Sequence, residues 1–60
     1  MTVYVVLGED MLEGEAFIAK VFASDSIASE WTDTQNIKQV HIAYSVHERW
    51  VEQDVEYVSE

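Results

Sequence analysis

The chain is 60 residues long and has no Cys, so disulfides and thiolate metal sites cannot supplement a core that is thin at this length. Twelve Asp and Glu against three Lys and Arg give a formal net charge of −9, which disfavours direct binding to nucleic acid or to anionic membranes and favours basic protein surfaces. Two Trp, three Tyr, two Phe and many Val separate it from acidic disordered chains. One folded domain, 1–60, is expected. The absence of Cys and of a basic, apolar leader predicts a soluble protein of a reducing, cytoplasmic compartment.

The first predicted element is a strand, Thr2 to Leu7, apolar and β-branched throughout and ended by Gly8. GEDMLEGE then reads as a hairpin loop with Gly at both ends of an acidic segment. A second strand runs from Ala16 to Ala23. Strict alternation puts Phe17, Ala19 and Val21 on one face, and Ile18, Lys20 and Phe22 on the other.

At Ser24 the period changes. Ser24 and Asp25 are N-cap residues, and Ile27, Ala28 and Trp31 make one apolar stripe on a helix of roughly ten residues. The polar run from Thr32 to Asn36 is expected to end it. A helix this short needs a sheet to dock on.

Alternation resumes at Ile37. Val40, Ile42, Tyr44 and Val46 share one face, and His41, Ala43, Ser45 and His47 the other. A final strand is expected from about Arg49 to Val58. Its odd face is Val51, Val55 and Tyr57, and its even face is Glu48, Trp50, Glu52, Asp54 and Glu56. The stretch from His41 to Val58 reads as a hairpin turning near His47-Glu48, as a sharply bulged strand, or as one bent strand. The fold class is α+β, a small antiparallel sheet of three to four strands with one short helix in the order ββαβ(β). The helix would bring Trp31 and Ile27 to one sheet face. Tyr4, Val6, Ile18 and Phe22 would remain on the other, and a homodimer is the simplest way to cover them.

The strings VYVVL, VFAS, DSIASEW and WVEQDVEYV together resemble those of small, mostly uncharacterised phage-encoded acidic ββαβ proteins. The resemblance implies a phage origin and a role against or upon a host protein. It carries no site residues across.

Candidate chemistry is sparse. His41, His47 and Glu48 lack metal-ligand spacing such as HExxH, and Met11 and Leu12 occupy the middle of what would otherwise be a calcium-like acidic loop. Ser45 and His47 share a strand face but have no evident orienting partner. No phosphate-cradling glycine loop is present, and no enzyme activity, cofactor or metal is expected.

The carboxylates carry the sharper reading. Residues two apart on a strand advance roughly 6.5 Å, and two steps of a DNA strand advance about 6.8 Å. Edge protection explains charge on an outer strand but not its uniform sign. The expected binding set is therefore Glu48, Trp50, Glu52, Asp54 and Glu56, with Glu9, Asp10, Glu13 and Glu15 from the loop. The expected partner is a basic host protein of the nucleic-acid-binding class (restriction, CRISPR, repair or transcription), blocked by charge mimicry. The alternative is a homo-oligomeric structural or adaptor module whose acidity only gives solubility.

Overall fold

The structure is a computed structural model and describes residues 1–52. Its elements are β1 (Thr2–Asp10), β2 (Ala16–Phe22), α1 (Asp25–Lys38) and β3 (Ile42–Trp50). They form an α+β fold, with an antiparallel sheet in the order β2-β1-β3 and one helix on one of its faces. The apolar first strand takes the central place that its composition requires.

Gly8 lies inside β1 rather than ending it, because the Phe17 ring occupies the space a side chain would need. A Cβ at Gly8 would stand 2.5 Å from Phe17 Cζ. The hairpin closes at Asp10 and Glu15, with Asp10 N–H donating to the Glu15 carbonyl at 2.7 Å. Gly14 supplies the left-handed residue at φ 76° that a four-residue loop built on a type I turn needs.

Strict alternation fails in β2. Its pairing with β1 slips between Val6 and Leu7, so that Lys20 faces Val6 and Ile18 faces Leu7. Ala19 is the extra residue of a bulge, and every side chain before it changes face. Phe17 consequently joins Lys20 and Phe22 on the helix side. Tyr4, Val6 and Phe22, expected on the bare face, also lie under the helix; the uncovered face instead carries Val3, Val5, Leu7, Ile18 and Val21.

The helix begins as expected. Ser24 is the N-cap, and its Oγ accepts from the Ile27 N–H at 3.4 Å. It is longer than predicted, 14 residues, and passes through the polar run from Thr32 to Asn36. The inward stripe is Ala28, Trp31, Thr32 and Gln35, with spacing i, i+3, i+4, i+7; Ala28 and Thr32 are buried, Trp31 and Gln35 half-buried. Polar identity at Thr32 and Gln35 hid this continuation. Ile27 is 54% exposed, at the edge of the stripe rather than in the core. Ile37 closes the helix instead of opening a strand, and Val40 stands exposed in the connection.

The core is small. Val6 and Ala28 are the fully buried apolar residues among those described, and Trp31 packs its ring against Phe22 and Tyr44 at 6.0 and 5.5 Å between centroids. Thr32 is 6% exposed, and its hydroxyl has no hydrogen-bond partner. An unmet buried hydroxyl costs about 1–3 kcal/mol. Thr32→Val, which keeps the shape and removes the group, is expected to stabilise the fold by about 1 kcal/mol. A thermal melt checks this, and a lowered midpoint would contradict it.

β3 runs unbroken through His47 and Glu48, pairing with β1 from Asp10↔Ile42 to Thr2↔Trp50. The hairpin near His47 is thus overturned: a continuous partner in β1 keeps the strand straight where no Gly, Asn or Pro would bend it. Gln53 to Glu60, which include Asp54, Val55, Glu56, Tyr57 and Val58, lie outside the described residues.

Candidate functional site

The predicted binding residues fall at two ends of the sheet. Glu9, Asp10, Glu13 and Glu15 cluster at the β1–β2 hairpin. Glu48 and Trp50 sit at the far end of β3, with Glu52 just beyond it. Asp10 lies opposite Ile42 and Thr2 opposite Trp50, so the two groups are separated by about 26 Å at 3.3 Å per residue. No single patch joins them.

At the hairpin, Asp10 is half-buried and structural. Its Oδ1 accepts from the backbone N–H of Leu12 at 2.9 Å and of Glu13 at 3.2 Å, a side-chain turn that fixes the loop. The Met11 N–H donates to the His41 carbonyl at 2.8 Å and ties the loop to the start of β3. Glu9, Glu13 and Glu15 remain exposed around Met11 and Leu12, which are also exposed. The hairpin therefore presents an exposed apolar tip, held by backbone hydrogen bonds and flanked along the chain by carboxylates.

At the other end the strand stops early. Chain pairing continues one residue past β3 through two hydrogen bonds, Val51 N–H to the Met1 carbonyl at 2.7 Å and the Met1 ammonium to the Val51 carbonyl at 2.9 Å. Trp50 is 71% exposed, beside exposed Met1 and Val51, and Glu48 and Glu52 are exposed on either side of it along the chain. A large indole left in solvent within a charged rim has the composition of a binding anchor, since Trp contributes much contact area for few rotors. Of the predicted even-numbered row, Glu48 is the carboxylate that lies in a strand. Glu52 follows the strand end, and Asp54 and Glu56 lie outside the described residues, so among the described residues strand pairing underlies the row only at Glu48 and Trp50.

The remaining candidates have local roles. Ser45 Oγ and His47 Nε2 are 2.8 Å apart on the uncovered face. They border an open depression of about 410 Å³ that Leu7, Glu9, Ala16 and Ala43 also line. A nucleophilic site needs an orienting group on the His and an oxyanion donor, and neither is seen beside this pair among the described residues. No three His, Asp or Glu side chains converge as metal ligands among the described residues. Asn36 was not anticipated as a contact residue: its side-chain amide donates to the Tyr44 carbonyl at 3.2 Å, and its Oδ1 accepts from the Tyr44 N–H at 2.9 Å. Its position in a polar run gave no sign that it would lie beside β3.

No helix among the described residues is long and apolar enough to cross a membrane. Comparison with protein-family models, with curated proteins and with solved structures found no match for this chain.

Proposed function

We propose that this chain is an interaction protein that binds a basic surface of a nucleic-acid-binding protein and blocks it by occlusion, without chemistry of its own. The observation that carries this reading is the exposed Trp50 with Glu48 and Glu52 around it, on a chain of net charge −9. The indole supplies the desolvated centre of the contact, and the carboxylates oppose Lys and Arg that otherwise meet phosphate. Long-range attraction between a strongly acidic chain and a basic groove speeds encounter, and salt weakens it. The hairpin carboxylates, about 26 Å away, would meet a second part of a long basic groove or stay in solvent. The resemblance to small phage-encoded proteins supports a host protein as the target and host cytoplasm as its location.

The immobilised chain, exposed to a bacterial lysate, tests this. At low salt it is expected to retain a basic nucleic-acid-binding protein that high salt releases. Glu48→Gln with Glu52→Gln is expected to weaken retention. Capture of no such protein, or capture indifferent to both salt and the double substitution, would sink the reading.

A further inference from the structure

The two outer edges of the sheet are treated differently. The Met1–Val51 hydrogen bonds show that odd-numbered residues of β3 bond to β1. Period two then turns the N–H and C=O groups of Tyr44, Val46, Glu48 and Trp50 to the outer edge. This edge is capped at Tyr44 and at the Glu48 carbonyl. Asn36 satisfies both Tyr44 groups like a short piece of neighbouring strand, and Arg49 Nη1 donates to the Glu48 carbonyl at 2.8 Å.

On β2 the same parity argument assigns Phe22, Lys20 and Phe17 to bonds with Tyr4, Val6 and Gly8 of β1. The backbone groups of Val21 and Ala16, with those at the bulge, therefore point outward. No comparable side-chain cap reaches them among the described residues. Side chains along this edge are apolar and open, with Phe17 41%, Ile18 66% and Val21 54% exposed. Lys20 does not guard it, because its Nζ lies 6.0 Å from the Trp31 ring centroid on the helix side. An uncovered apolar edge of this kind is a template for another strand.

We infer that β2 pairs antiparallel with β2 of a second copy, making one six-stranded sheet across a two-fold axis. Charge selects this occupant. β1, α1 and β3 each carry carboxylates, whereas β2 carries none and one Lys, so β2 is where two copies of a −9 chain approach with least repulsion. The bulge selects the register. Pairing Val21 with Ala16 of the second copy joins residues whose backbone groups both point outward and whose side chains both lie on the uncovered face. It also sets Lys20 opposite Phe17 on the helix face and places the axis at the bulge. Glu15, just before β2, then falls opposite Phe22 and away from the other Glu15. Self-association leaves the Trp50 end free, so this inference stands or falls independently of the proposed partner.

The test is the mass of the purified chain in solution by sedimentation equilibrium at about 100 µM, where a dimer of micromolar Kd is well populated. The expected mass is twice the 6.9 kDa of one chain. Val21→Pro removes an outward N–H that makes no bond within the chain, at an edge position that tolerates proline. It is expected to give the monomer mass with an unchanged far-UV circular dichroism spectrum. The chain has no native Cys, so Ala16→Cys with Val21→Cys is expected to yield a covalent dimer on oxidation, where Glu48→Cys on the opposite edge is expected to form no cross-link. A native chain at the monomer mass, or a folded Val21→Pro chain still at the dimer mass, would overturn the inference. Were Val21→Pro to unfold, absence of the Ala16–Val21 cross-link would do the same.

Discussion

Trp31→Ala is expected to cost about 3 kcal/mol of stability, the lower end for a Trp truncated in a core because the ring is only half-buried. Trp31 is the side chain through which the helix grips both outer strands. It meets Phe22 of β2 and Tyr44 of β3 across the buried Val6 of β1, and Lys20 lies over its ring. Few other contacts can compensate, since Val6 and Ala28 are the fully buried apolar residues among those described. A 60-residue domain has of the order of 3–9 kcal/mol in all, so the loss is a large share of the total. At about 4–8 °C per kcal/mol for domains of this size, the melting midpoint should fall by roughly 12–24 °C. A fall of less than about 4 °C would show that the helix is held by something other than this aromatic contact.

Trp50→Ala is expected to behave in the opposite way. At 71% exposure the indole contributes little to the fold, and its removal should leave the melting midpoint nearly unchanged. Binding to the captured partner should weaken by about 30-fold or more, the loss of a hot-spot residue worth at least 2 kcal/mol. Isothermal titration of both chains against the purified partner checks this. Equal affinities would remove Trp50 from the interface. The contrast matters because the chain has only two Trp, one assigned to folding and one to recognition.

The order of elements was legible because each rests on a local signal: the β-branched run of β1, the Gly-flanked acidic hairpin, and the Ser24 cap followed by an apolar stripe. Three features depended on contacts between distant residues. The bulge at Ala19 arises in the pairing of β2 with β1 and reverses the face of Phe17, which strict alternation placed away from Phe22. The second half of the helix continues its inward stripe on buried Thr32 and half-buried Gln35, whose polarity concealed the period. β3 stays straight through His47-Glu48 because all nine of its residues pair with β1. Composition and parity marked Glu48, Trp50 and Glu52 as binding residues on an outward row; all three are exposed, but the register puts Glu48 and Trp50 on the helix-bearing face with Tyr44 and Val46. These signals could not show that Asp10 is spent on its own loop, nor that the hairpin set and the β3 set stand at opposite ends of the sheet.

The central claim is that the Trp50 end occupies a surface that otherwise holds nucleic acid, and a competition measurement tests it most directly. A labelled nucleic acid bound to the captured partner is titrated with the native chain while fluorescence anisotropy is followed. Displacement is expected at near-stoichiometric chain, sensitive to salt and shifted about 30-fold or more by Trp50→Ala. A ternary complex, with anisotropy rising rather than falling as the chain is added, would contradict the claim.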